Sequence, residues 1–409
     1  MKRRTAGVPP GSSAPHDGGG GRGLVYLMHS TTTPLDPEVR QVMTRLLNED
    51  PRDPEGLLAD GRRIAGVIEA ARRHVADLVG ADANEIIFTS GGTESCNLAV
   101  KGVALARLAQ GGRPATILVA ATEHTSVLYP ARTLGRLGFE VREVPVDHRG
   151  TVALDALTDM LGANTVLVSV ALATAETGTL QPIAEIARIV HERGALLHVD
   201  ACLAAGYQRV DLRSLDADLA SFSAHKLRGP RGCGALYARE GVRITPLIEG
   251  GVNEGGRRGG AECVAGIAGF GEAARLAAAG MPSDEARLSG LGVMLEESLT
   301  RVAAVTLNGH PARRLRGLVN LSVAGVDGEA LLLRLARQGI AASSGSTCFQ
   351  QTGKPSHVLL AMGVPARLAQ SSILFSVGRD TTVEEIHRVI EHFPPAVESL
   401  RALSVEPQA

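Results

Sequence analysis

The stretch "SFSAHKLRGPRG" (221–232) places Lys226 directly after His225, with glycines and arginines behind it. One apolar run earlier, Asp200 ends "LLHVDA". A carboxylate there is costly to bury alone and has to meet a cation or a hydrogen-bond donor. A lysine inside an α/β enzyme can have a lowered pKa and form a Schiff base. In "SGGTES" (90–95), Gly92 and Thr93 lie between an apolar run and a helical pattern. Glycines there let backbone N–H groups approach an anion, and a helix N-terminus favours phosphate. His124, in "ATEHTS", follows another apolar run. Singly, each has a plain reading: a surface lysine, a capped glycine turn, a structural histidine. Together they match what pyridoxal phosphate requires: a phosphate cradle, a ring to stack on, a carboxylate for the pyridinium nitrogen and a lysine for the aldehyde. Far along the chain, Cys348 lies in the polar, glycine-containing stretch "SSGSTCFQQTGKPSH". A cysteine on a loop is a candidate nucleophile, against the alternative of an incidental thiol.

Such groups need strand ends to hold them. "EIIFTS" (85–90), "TILVAAT" (116–122), "EVREVPV" (140–146), "TVLVSVALA" (165–173), "ALLHVDA" (195–201), "LASFSAH" (219–225) and "GALYA" (234–238) read as short buried strands. Amphipathic stretches lie between most of them, such as "IAEIARIVHERG" (183–194), which ends on a helix-stop glycine. The alternation predicts an α/β fold: a mostly parallel seven-stranded sheet with helices on both faces. "GALYA" follows "LASFSAH" so closely that this pair is open to antiparallel pairing. A helix over 284–304, strands at "LVNLSVAG" and "SILFSVG", and a helix over 382–393 predict a smaller C-terminal α/β domain. The expected division is a disordered Gly/Pro/Ser-rich tail over 1–22, a large domain over 23–280 and a small domain over 281–409.

Composition narrows the function classes. The chain has 409 residues, 42 basic against 43 acidic, a net charge of −1 and no tryptophan. Such balance gives no electrostatic case for nucleic acid or an anionic membrane, and the scarcity of aromatics argues against base stacking. No apolar run is long enough to span a bilayer. The basic N-terminus lacks the apolar segment of a secretory signal. Five cysteines without any CxxC spacing argue against a disulfide framework or a structural metal site, and fit free thiols in a reducing cytoplasm.

Over about residues 25–400 the sequence resembles the cysteine desulfurases and selenocysteine lyases, class V members of the fold-type-I pyridoxal-phosphate enzymes. The resemblance rests on "TTPLDPEV", "EIIFTSGGTESCNLAVKG", "EHTSVL", "ETGTLQPIAEIARI", "GALLHVDA", "SFSAHKLRGPRGCGALY", "SSGSTC", "KPSHVLLAMGV" and "FSVGRDTT", in that order. It implies that Lys226 carries the cofactor as a Schiff base. It also implies that Thr93, Ser223 and His225 bind the phosphate, that Asp200 pairs with the pyridinium nitrogen, and that His124 stacks on the ring and moves protons. Cys348 would take sulfur or selenium from cysteine or a related amino acid as a persulfide, on a long loop reaching Pro355 that delivers it to an acceptor protein. The resemblance further implies a homodimer, with "GGVNEGGRRGGAE" (250–262) crossing to the partner.

Several positions depart from the family pattern, and they gather around the substrate. Met28, His29 and Ser30 stand where Asp, Asn or Tyr and then small residues are usual. Thr174 and Ala175 replace two asparagines, Leu203 a glutamine, Ala261 a threonine, and "EDPRDPEG" an Asn-Pro-Ser-Ser segment. Leu374 replaces the arginine that clamps the substrate carboxylate. Three readings follow: a diverged desulfurase, a pyridoxal-phosphate lyase or aminotransferase acting on another amine, and a non-catalytic paralogue. The retained lysine, aspartate, histidine and cysteine favour the first.

Overall fold

The computed structural model describes residues 23–49, 59–345 and 354–403. The expected tail, most of "EDPRDPEG" and Cys348 lie outside the described residues.

Seven strands form the central sheet: β2 (Ile86–Thr89), β3 (Thr116–Ala120), β4 (Glu140–Val144), β5 (Thr165–Ala171), β6 (Leu196–Asp200), β7 (Leu219–Ser223) and β8 (Gly234–Ala238). They follow β1 (Val25–Tyr26), and their order across the sheet is β2-β8-β7-β6-β5-β3-β4. The pairs from β7 through β4 are parallel; β8 runs antiparallel to both β7 and β2. All seven coincide with the apolar runs of the sequence. Both sheet faces are covered, so the inner strands are apolar on both sides instead of alternating with polar residues; the edge strand β4, expected to be buried, is instead mostly exposed, with Glu140, Arg142 and Glu143 facing solvent. Ile117, Val119, Leu167 and Leu236 face the helices Gly92–Ala109 and Thr125–Gly135. Leu118, Val168, Val199 and Phe222 face the opposite layer, with Ile186, Val190 and Phe270. In the helix Ile183–His191 the buried residues Ile183, Ile186, Ala187 and Val190 recur at helical spacing. Gly194 behind it has φ 71°, which releases the chain into β6.

The C-terminal part holds β9 (Val305–Leu307), β10 (Leu318–Val323) and β12 (Ser372–Ser376) in an antiparallel sheet of order β12-β10-β9. β11 (Ile340–Ala341) instead pairs parallel with β1, tying the start of the described chain to the C-terminal part. The helix expected over 284–304 is longer and begins earlier: Val264–Leu299 is continuous, so the boundary expected at 280/281 falls inside it. Pro282 lies within this helix without ending it. Residues buried along its length, from Ile267 to Leu299, join one apolar core shared by both parts. A helix packed along its whole length keeps its course through a residue that would break it in isolation.

Candidate active site

Asp200 ends β6 and Ser223 ends β7, while Gly92 opens the helix that follows β2. The parallel strands β6 and β7 deliver side chains to their carboxyl ends, where open α/β sheets bind ligands. A cavity of about 640 Å³ opens there. Gly92, Thr93, His124, Asp200, Ser223, His225 and Lys226 all line it. Seven of the eight candidate residues, scattered from 92 to 226, thus meet in one place. The eighth, Cys348, lies outside the described residues; Gly345, the last described residue before it, lines the same cavity.

Close packing explains the glycines of the cradle. A Cβ on Gly92 would stand 2.5 Å from Cys202 Sγ, and one on Gly234 would stand 2.5 Å from the carbonyl carbon of Gly91. Gly91 has φ 149°, where a side chain is strained. The helix therefore starts at the cavity wall with its first N–H groups free for an anion.

The lysine segment is held by the N-terminal stretch "STTTP". Thr33 N–H and Oγ1–H donate to His225 O at 3.0 and 2.9 Å, and Arg228 N–H donates to Thr33 Oγ1 at 2.9 Å. Thr32 Oγ1 stands 3.2 Å from His225 Nδ1. Arg228, with φ 63°, pairs with Asp36 at 3.1 Å and with Asp380. The Lys226 ammonium donates to Ser30 O, and to Thr31 O at 2.9 Å. Burial pushes its pKa down, opposed by Cys202 and Asp200. A lowered pKa raises the fraction of neutral, nucleophilic amine near neutral pH.

His124 caps the helix Thr125–Gly135: its Nδ1 accepts from Ser126 N–H at 3.1 Å and lies 2.8 Å from Ser126 Oγ. The neutral ring therefore carries its proton on Nε2. Burial lowers its pKa, while Asp200 acts in the opposite sense. Beneath the cavity floor, Ser169 Oγ donates to Glu123 Oε1 at 2.9 Å and lies 2.8 Å from His198 Nδ1; His198 Nε2 stands 2.9 Å from Ser221 Oγ. Burial, then the Asp200 charge, raises Glu123 to about 8, and burial lowers His198 to about 4. Both shifts favour the uncharged form of the side chain.

The substrate side differs in kind. Leu374, Ala173, Ala175, Leu203 and Val358 line it, with Glu176, Ser343 and His357. Leu374 is 2% exposed and sits on β12 opposite Asn320. Among the described lining residues Arg231 is the single guanidinium, and its charge falls on His225 and Tyr26, at the lysine end. Glu176 accepts from Ser356 Oγ at 2.5 Å, and burial raises its pKa to about 7.

Sequence reasoning missed His357, whose Nε2–H donates to Glu123 O at 2.9 Å from the rim of the cavity. It also missed a thiol pair: Cys96 and Cys202 flank Asp200, and the Cys96 thiol stands 3.5 Å from Asp200 Oδ2. Spacing along the chain could not reveal that pair, because one cysteine comes from a helix and the other from a strand end.

The aminotransferase class-V family model matches residues 25–389. The chain belongs to this family. It is 42% identical over 380 residues to a "Cysteine desulfurase IscS" of Methanosarcina thermophila, covering 93% of each chain. Among solved structures, a "NifS-like protein" matches with TM-score 0.86 at 34% identity, over 92% of this chain and 100% of the other. A structure titled "SspA in complex with cysteine" matches with TM-score 0.77 at 27% identity, over 87% of this chain and 99% of that one. The expected class-V fold is therefore correct, including the seven-stranded, mostly parallel sheet.

Proposed function

We propose that this protein is a pyridoxal-phosphate-dependent cysteine desulfurase that takes sulfur, or selenium, from cysteine or a related small amino acid. The observation that carries the reading is the convergence of Lys226, Asp200 and His124 on a cavity whose mouth is the N-terminus of the helix Gly92–Ala109. The residues fit the cofactor: an anion-seeking helix end, a buried carboxylate, and a lysine whose pKa burial lowers. Thr93, Ser223 and His225 would hold the phosphate, Asp200 would pair with the pyridinium nitrogen and His124 would stack on the ring. When bound, the cofactor withdraws electron density from the substrate Cα. Lys226 would hold the cofactor through its amine and is placed to move the substrate Cα proton. The Cys348 thiolate attacks the substrate sulfur. An S–S bond forms, the Cβ–S bond breaks, and its electron pair returns to the amino-acid fragment, which takes a proton. The persulfide then passes to an acceptor protein.

Further support comes from the relatives, which are desulfurases by name over nearly their whole length. The four described cysteines are free, as a reducing cytoplasm keeps them, and no helix among the described residues is long and apolar enough to cross a membrane. A homodimer fits the exposed apolar side chains Ile248, just before the segment 250–262, and Val252 within it. That segment is moored to the cradle through Arg258–Glu94 at 3.0 Å. The apolar substrate wall at Leu374, Ala175 and Leu203 favours one second reading, a lyase or aminotransferase on an amine other than free cysteine. A non-catalytic role sits poorly with the retained Lys226, Asp200 and His124.

The test is the absorption spectrum of purified protein with and without L-cysteine, followed by sulfide release under reducing thiol. Desulfurase action requires a spectral change on adding an aminothiol donor, and sulfide release that Cys348→Ala abolishes. Equal turnover by Cys348→Ala would refute the persulfide step. A colourless protein after reconstitution would refute the cofactor.

A further inference from the structure

Cys96 lies in the first turns of the helix Gly92–Ala109 and Cys202 two residues beyond Asp200. The two thiol sulfurs and one Asp200 carboxylate oxygen all lie within 4.8 Å of one another. The Cys96 Sγ to Asp200 Oδ2 separation is 3.5 Å. Tetrahedral arms of about 2.3 Å to sulfur and about 2.0 Å to a carboxylate oxygen span roughly 3.5 Å between those two donors. That separation matches one edge of a tetrahedral site. Cys96 is fully buried within the core. Asp200 and Cys202 line the cavity, so the fourth position faces it. Asp200 Oδ1 is held separately by Cys202 N–H at 3.0 Å, which leaves Oδ2 turned toward Cys96. Two thiolates and a carboxylate select a thiophilic divalent ion of the zinc class over magnesium or calcium.

We propose that the cofactor-free chain binds one thiophilic divalent cation through Cys96 Sγ, Asp200 Oδ2 and Cys202 Sγ, and that this ion and pyridoxal phosphate exclude each other. The exclusion rests on the assignment of Asp200 to the pyridinium nitrogen. Binding releases two thiol protons to solvent as the metal–sulfur bonds form. Before its cofactor is loaded, the chain is then open to capture by zinc, and cofactor loading is gated by free metal.

A second thiol pair must be controlled. Cys233 and Cys263 both crowd Gly266, whose Cβ would stand 2.5 and 2.8 Å from their sulfurs. Cobalt(II), the probe, is added to the cofactor-stripped full chain carrying Cys233→Ser, Cys263→Ser and Cys348→Ala, which leaves Cys96 and Cys202 of the five cysteines. The expected result is one cobalt per chain with a thiolate charge-transfer band, lost on adding Cys96→Ser and displaced by pyridoxal phosphate. In the natural chain, which avoids any folding defect of the multiple variant, zinc should slow cofactor loading at least about tenfold. Cys96→Ser, compared with its own zinc-free loading, should erase that effect. Absence of the band together with unimpeded loading in zinc overturns the site. Cobalt and cofactor bound together in one chain overturn the exclusion. Failure of the metal-free chain to take up pyridoxal phosphate overturns the desulfurase reading instead, and the cobalt titration still decides the metal site.

Discussion

Replacing Leu374 with arginine puts a cation on the substrate wall. Leu374 is buried on β12, its backbone N–H donates to Ser343 O at 2.6 Å, and Gly345 lies close enough that a Cβ there would stand 3.6 Å from Leu374 Cβ. The sequence supplies no arginine or lysine between Gly345 and Lys354, and Lys354, at the far end of the loop that bears Cys348, is not among the described residues lining the cavity. A free amino acid entering this cavity thus places its carboxylate against leucine and alanine. A two-pronged, charge-assisted guanidinium–carboxylate contact adds about 2–4 kcal/mol, or roughly 30- to 1,000-fold in affinity. Glu176 draws off part of that gain, because its Cβ lies beside Gly345 and an arginine there stabilises its ionised form. The lower end, about 30-fold, is therefore the expected fall in KM for L-cysteine in Leu374→Arg. The assay is sulfide release against L-cysteine concentration, run in parallel with L-cysteine methyl ester. The ester has no carboxylate, so its KM should not fall. If the parent already saturates at the same L-cysteine concentration as Leu374→Arg, the argument from the missing cation is wrong.

Other outcomes test the frame around this site. Lys226→Ala should lose the yellow absorption of bound cofactor and any borohydride-trappable adduct, checked by spectrum and mass. Glu254 accepts two bonds from Arg72, at 2.6 and 2.9 Å, and one from Phe88 N–H at 2.9 Å, all buried. Glu254→Ala strands that arginine and should cost about 3–5 kcal/mol in denaturant unfolding; an unchanged midpoint would contradict the buried pair. Glu123, raised from 4.5 to about 8, favours folding while protonated, so its contribution is present below pH 4.5 and fades as pH rises toward 8. Glu123→Gln should flatten the fall in melting temperature across that window, and an identical pH profile in both proteins would refute the raised pKa.

The sheet was legible because six of its seven strands are short runs, apolar on both faces and bounded by turn residues; the edge strand β4, with Glu140, Arg142 and Glu143 exposed, was found by its alternation with the helices instead. Asp200 and Lys226 stood out for a related reason: a charged residue at the end of an apolar strand needs a purpose. The helix boundary near 284 was misplaced because Gly280, Pro282 and Ser283 read as a break, whereas tertiary packing carries the helix through them. His357 and the Cys96–Cys202 pair stayed hidden because their significance exists only in space. His357 reaches Glu123 from a helix more than two hundred positions later in the chain, and periodicity carries no such information.

The two sides of the cavity are built on different supports. Asp200, Ser223 and Lys226 sit at or just past the ends of β6 and β7, where the backbone is fixed by the parallel β6–β7 pairing, by the antiparallel pairing of Ser223 with Gly234 on β8, and by the Thr33–His225–Arg228 bonds. A change there disturbs ladder, cradle and lysine together. Leu374 and Ser343 belong to the C-terminal part, where β12 pairs antiparallel with β10 through backbone groups alone. A side chain on that strand can alternate between leucine and arginine without moving Asn320 or the ladder. Substrate choice can therefore be rewritten at one side-chain position while the cofactor machinery stays in place. If that separation holds, Leu374→Arg should leave the cofactor spectrum of the resting protein unchanged even as it alters KM for L-cysteine. A shifted resting spectrum would mean that the two walls are coupled.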